Sequence, residues 1–172
     1  MPHSAIIGST GSGKTTCGQQ LAALAVAGGR GVLVLHKERE AWPLPAAPLV
    51  FQTHDPEHFL AVYWKARSCD CFMELADADV DKFDSRFHRC FTQGRHEGHR
   101  NFYLSQRAAM VHPNVRENCA SLYLFAVPIK GARLWADEFN DETLLGATML
   151  PPHQFFHKPS RFAPARLVKL AT

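Results

Sequence analysis

Apolar residues fall in short unbroken runs, and helix-forming stretches of mixed polarity separate them. His3 to Ile7 is such a run and ends at a glycine-rich turn. Lys14 to Ala27 is rich in helix formers and is stopped by Gly28 and Gly29. Gly31 to His36 reads Val-Leu-Val-Leu with no alternation, as a strand covered on both faces in a parallel sheet does. These segments make one βαβ unit. Three prolines between Ala41 and Pro48 then break regular structure, and Leu49 to Gln52 predicts a short strand. Asp55 followed by Pro56 opens a helix to about Ala66, an N-cap before a proline at the first helical position. Cys69 to Leu75 reads as a buried strand. Asp79 to about His96 reads as an amphipathic helix whose Phe83, Phe87 and Phe91, four apart, form a core-packing row. Asn101 to Ser105 predicts a strand, Pro113 to Asn118 a helical turn, and Ser121 to Val127 a further strand. After Gly131 the pattern changes to a helix from about Ala132 to Leu145, then Pro151-Pro152, then strand-like runs His153 to His157 and Arg166 to Leu170.

Strands alternating with helices predict an α/β sandwich with a mainly parallel sheet. A chain of 172 residues buries about two-thirds of its unfolded surface, enough for one compact core. A single domain over residues 1–172 is expected, with its core to about residue 130 and a small strand-containing C-terminal appendage from about 131. Apolar residues at 46% and charged residues at 20% exclude a disordered or fibrous chain. The net charge of +3 is too mild to establish nucleic-acid binding. Cys17, Cys69, Cys71, Cys90 and Cys119 are odd in number and lie in apolar segments, which fits a reducing cytoplasm. Cys69-x-Cys71, near His88, Cys90, His96 and His99, lacks the paired C-x-x-C spacing of a zinc site. The longest apolar stretch, Leu21 to Ala27, is too short to span a bilayer, and no signal core opens the chain, so a soluble intracellular protein is expected.

Candidate chemistry begins at Gly8-Ser9-Thr10-Gly11-Ser12-Gly13-Lys14-Thr15. This stretch satisfies G-x-x-x-x-G-K-[ST] between a predicted strand and a predicted helix, the context that a triphosphate cradle requires. Its glycines permit positive φ and a close approach of backbone N–H groups to phosphates, and the helix directs its positive dipole end at them. Lys14 is expected to reach the β and γ phosphates, Thr15 to ligate magnesium, and Thr16 to lie near the α-phosphate. With this motif the fold class becomes a P-loop NTPase (RecA-like) three-layer sandwich. Phosphoryl transfer to water needs a carboxylate that orients the nucleophile and an acid for the metal, at a strand end beside the loop. In Cys71-Phe72-Met73-Glu74-Leu75-Ala76-Asp77, Glu74 fits the first role and Asp77 the second, while Asp79 and Asp81 read as helix caps. Ser105-Gln106 ends a predicted strand and sets the Gln106 amide at the edge where ligands bind in open α/β sheets, within reach of a γ-phosphate or lytic water.

The ordered set of the loop, Glu74-Leu75-Ala76-Asp77, Gly94-Arg95-His96-Glu97-Gly98-His99, Tyr103-Leu104-Ser105-Gln106-Arg107 and Val115-Arg116-Glu117-Asn118 resembles the FtsK/HerA superfamily of DNA-pumping ATPases. The smallest members of that superfamily are viral genome-packaging ATPases. The resemblance runs from about residue 3 to residue 158 and includes Leu150-Pro151-Pro152. It implies hydrolysis of ATP with Mg²⁺ by a ring, usually a hexamer, that threads or packages double-stranded DNA, in the host cytoplasm or on the virion beside a capsid or portal protein. It also implies that Glu74 activates water and Gln106 senses the γ-phosphate. A neighbouring subunit would supply an arginine finger, for which Arg95 and Arg116 are the nearest matches and Arg89 a third. Lys37, Arg39, Lys65 and Arg67 are basic residues in or near predicted loops where DNA contacts would lie. One position departs from the pattern: Met73 stands where the family has Asp, so that Asp77 substitutes, or Glu74 serves both roles, or hydrolysis is slow.

Two other functions use the same loop. A small nucleoside or nucleotide kinase would make a lid of Arg86-x-x-Arg89 and Arg95, but gives Gln106 and the Val115 to Asn118 segment no role. A nucleotide-binding assembly protein would have lost turnover with the acid at Met73.

Overall fold

The computed structural model describes residues 3–37, 39–46, 48–75 and 80–171. Among the described residues, eight strands form a single sheet: β1 (His3–Ile7), β2 (Gly31–Leu35), β3 (Val50–Thr53), β4 (Cys69–Met73), β5 (Arg100–Ser105), β6 (Cys119–Leu124), β7 (Gln154–Lys158) and β8 (Arg166–Lys169). Their order is β3-β2-β4-β5-β1-β6-β7-β8. The first six run parallel, β7 is antiparallel to β6, and β8 is antiparallel to β7. The helices are α1 (Lys14–Ala27), α2 (Pro56–Tyr63), α3 (Ser85–Gln93), α4 (Pro113–Asn118) and α5 (Ile129–Glu138).

The unbroken apolar runs are explained by two cores, one on each face of the sheet. Alternate residues such as Ala5, Ile7, Leu33, Leu35, Cys71 and Met73 join one core with Phe59, Phe87, Val115 and Trp135, from α2 to α5. The residues between them, Ile6, Val32, Val34 and Phe72, join a second core under α1 with Cys17, Ala22 and Trp42. A strand covered on both sides has no polar face to alternate with. Trp42 belongs to the proline-rich loop before β3, and this loop closes over α1. Gln52 holds it through two hydrogen bonds, accepting from the Trp42 amide (2.8 Å) and donating to the Trp42 carbonyl (3.1 Å). The five cysteines are buried free thiols. Among the described residues no group of three or more His, Cys, Asp or Glu is arranged to hold a metal, and no helix is long and apolar enough to cross a membrane.

Three helix boundaries differ from expectation, and capping accounts for two of them. The Asp84 carboxylate accepts from the Arg86 amide (3.0 Å), so α3 begins at Ser85, and the chain tightens into a 3-10 turn at Gly94–Glu97. Phe83 therefore precedes the helix and stands 67% exposed, while Phe87 and Phe91 are buried; only two of the three phenylalanines form the core row. Asn140, at φ 49°, ends α5, and Asp141 caps a separate 3-10 segment, Glu142–Met149, by accepting from Thr143 (3.0 Å). The expected helix to Leu145 is thus two elements. The third helix, α2, stops at Tyr63 rather than Ala66.

Candidate nucleotide site

The loop from Gly8 to Thr15 is anchored at both ends of its entry. Gly8 donates to the Ser105 carbonyl (3.1 Å) at the end of β5, and Ser9 donates to the Ala126 carbonyl (2.9 Å) beyond β6. The cradle therefore sits between the carboxyl ends of the strands that flank β1, where an open α/β sheet binds ligands. Steric demands fix the glycines. A Cβ on Gly8 would lie 2.7 Å from that of Phe125, and Gly13, the N-cap of α1, has φ 108°, a left-handed conformation closed to ordinary side chains. Ser9, Gly11, Gly13, Lys14, Thr15, Thr16 and His153 line a cleft of about 190 Å³. Thr10 and Ser12 belong to the same loop, and Ser12 is buried with a hydroxyl that has no hydrogen-bond partner among the described residues.

Lys14 is 5% exposed and Glu74 1%, so the cation and the carboxylate are both taken out of bulk water. The Thr15 hydroxyl donates to Glu74 Oε1 (3.3 Å), and the Lys37 amide donates to Oε2 (3.4 Å). The carboxylate thus ties the cradle to the end of β2, whose Leu35 carbonyl accepts from the Glu74 amide (2.9 Å). Thr15 Oγ1 and Glu74 Oε1 form an oxygen pair of the kind that suits a hard cation such as Mg²⁺. Met73, by contrast, is fully buried in the core beneath α2 and α3. Asp77, the other expected acid, lies outside the described residues, as does Asp79. Cys17, just past the threonines, is a core residue: burial pushes its thiol up to about 12, far from the range of a nucleophile.

Gln106 follows β5 directly, one residue beyond the Ser105 carbonyl that holds Gly8, and is half-buried. The arginines are elsewhere. Arg95 is exposed on the 3-10 turn before β5, at the opposite end of a strand that spans roughly 20 Å. Arg116 is bound within its own chain: Nη1 donates to the Val111 carbonyl (2.6 Å), and Nε faces Glu138 Oε2 at 3.7 Å. Arg89 bonds Gln93 and lies over the Trp64 ring. The fold therefore brings Lys14, Thr15, Thr16, Glu74 and Gln106 to one end of the sheet and none of these three arginines to its own cleft.

Two contributors escape sequence reasoning. The His153 amide donates to the Ser12 carbonyl (2.8 Å), and the Leu170 amide to the His153 carbonyl (2.8 Å), so both C-terminal strands abut the cradle. No periodicity announces contacts between residues so far apart in sequence; Leu150-Pro151-Pro152 is the single nearby signal.

No family model matches the chain, and no curated protein does. Solved structures do. The genome packaging NTPase B204 from Sulfolobus turreted icosahedral virus 2, in complex with ATP-gammaS, superposes with a TM-score of 0.77 at 12% identity over 99% of this chain and 98% of that one. The pCW3 conjugation coupling protein TcpA, with ATPgS, gives 0.75 at 12% identity over 98% of this chain and 59% of its own. The cytoplasmic domain of the Thermomonospora curvata Type VII secretion ATPase EccC gives 0.67 at 15% identity over 99% of this chain and 25% of its own. The chain has the P-loop NTPase fold that these proteins share.

Proposed function

We propose that this chain is an ATP-hydrolysing motor that moves double-stranded DNA, working as a ring of copies to package a viral genome. The observation that carries this reading is the Thr15–Glu74 contact beside a complete phosphate cradle, with Gln106 at the end of the neighbouring strand. An end-to-end likeness to a genome packaging NTPase supports it. In this reading Lys14 and the loop amides bind the triphosphate, and Thr15 and Glu74 would hold Mg²⁺, which would supply neutralisation of the phosphate charge. Glu74 also orients the attacking water, serving both acidic roles that Met73 leaves open, and Gln106 senses the γ-phosphate. A neighbouring copy supplies the arginine. The Arg95 side chain is exposed and makes no hydrogen bond among the described residues, whereas Arg116 would have to leave Val111 and Glu138.

The test is phosphate release from ATP with and without double-stranded DNA, run beside candidate nucleosides as phosphate acceptors. Release stimulated by DNA and lowered about a hundredfold or more by Glu74→Gln, with ATP binding retained, is the expected result. A phosphorylated nucleoside would instead identify a kinase. The buried Met73 favours a second reading, a nucleotide-binding assembly protein with slow turnover; it predicts ATP binding with negligible release under every condition. Ring formation is read from mass in solution with ATP and Mg²⁺. A capsid or portal partner and a cytoplasmic or virion location belong to the same proposal.

A further inference from the structure

The motifs assign the phosphate end of the cleft and leave the nucleoside end without a residue. We propose that the His153 imidazole fills that role, the nucleotide base stacking on it beyond the α-phosphate. This rests on reading Gly8 to Thr15 as a triphosphate cradle. In that reading Thr15 marks the metal and γ side, and Thr16 marks the α-phosphate side from which the nucleoside leaves. His153 lines the same cleft: a Cβ built on Gly13 would lie 3.0 Å from its Nδ1, so the ring stands directly beside the glycine.

The backbone shows that the side chain is not there for the turn. His153 has φ 65°, a left-handed conformation that costs a histidine about 1–3 kcal/mol and a glycine nothing. Two hydrogen bonds fix it there, one from its amide to Ser12 and one from Leu170 to its carbonyl. The strained residue is thus held by the phosphate loop on one side and by the last strand on the other. Its side chain is exposed and, among the described residues, makes no hydrogen bond, ion pair or ring contact. A flat ring with an open face, pinned in the lining of the phosphate cleft, is a platform for a purine.

The experiment compares ATP with inorganic tripolyphosphate, a probe that has the phosphates and no nucleoside, by titration calorimetry with Mg²⁺. His153→Gly relieves the left-handed strain, so its thermal midpoint should equal or exceed that of the wild type. It should weaken ATP roughly threefold to tenfold, the size of a stacking contact, and leave tripolyphosphate within about twofold. His153→Asn also tolerates the left-handed backbone and should lose ATP to the same extent. Full ATP affinity in His153→Asn would overturn stacking in favour of a hydrogen bond. Equal losses for ATP and tripolyphosphate would overturn the assignment by moving His153 to the phosphates. Unchanged binding of both ligands by His153→Gly would sink the His153 assignment alone. A wild-type chain that binds neither ligand would overturn the cradle reading and this assignment with it.

Discussion

Single residues would carry the proposed chemistry, and the positions of several of them were legible because a local motif sets them. Thr15 and Glu74 meet because a strand, a glycine loop and a helix bring them to one end of the sheet, with Lys14 at the start of that helix, and Gln106 follows at the end of the next strand. His3 was not legible in this way. It is a buried residue whose Nδ1 accepts from the Asn101 amide (3.0 Å), and burial, ahead of nearby positive charge, lowers its pKa to about 4. The unfolded chain binds the proton near 6.5, so the native state favours the neutral ring. This contribution to stability is fully present above pH 6.5 and is lost as pH falls toward 4, up to about 3 kcal/mol. Urea midpoints at pH 7.5 and 4.5 check it. His3→Asn, which keeps an acceptor near the Nδ1 position and cannot titrate, should show a smaller acid loss than the wild type.

Among the elements, α1 matters most, because it carries the cradle at one end and is clamped along its length. Trp42 and Leu104 close on Gly18 so tightly that a Cβ there would lie 2.9 Å from Trp42 Cη2 and 3.1 Å from Leu104 Cδ2. Gly18→Ala is expected to cost about 1–3 kcal/mol by overpacking, despite alanine's better helix propensity, and Trp42→Ala about 3–5 kcal/mol by leaving a cavity. Because the added methyl enters the space that the indole vacates, the double variant should lose clearly less than the sum, measured by denaturant unfolding. The span of α1 was readable because Gly13 and Gly28 bracket a run of good helix formers. The start of α3 was misread because acidic residues crowd the stretch from Asp77 to Asp84. Which of them caps depends on where the following residues pack, and that is a tertiary decision. Phe83 shows the consequence, since spacing alone assigned to the core a side chain that lies outside the helix.

Across the whole molecule, the alternation of strands and helices foretold a mostly parallel sheet. It did not foretell that β7 and β8 run back to the phosphate loop, since pairing between residues 12 and 153 leaves no local trace. The far end of that strand pair is fastened too. Arg161 donates to the carbonyls of Glu138 (2.7 Å), Arg116 (2.8 Å) and Cys119 (3.0 Å), while the Glu138 carboxylate faces both Arg116 and Arg161. Removing the acid leaves two partly buried guanidinium groups facing each other. Glu138→Ala should therefore lower unfolding stability by roughly 2–4 kcal/mol, and Glu138→Gln by less, as chemical denaturation would read. The sheet itself ends in two short rims, Val50–Thr53 on one side and Arg166–Lys169 on the other. A proline at position 164 precedes the second rim, and a basic residue stands at each of its ends. Short, charged rims discourage backbone-to-backbone zippering between molecules, the route by which a broad sheet seeds fibrils. Any association between copies of this chain would thus be steered to side chains and loops, which can be released and remade, and away from shared strands, which are hard to undo.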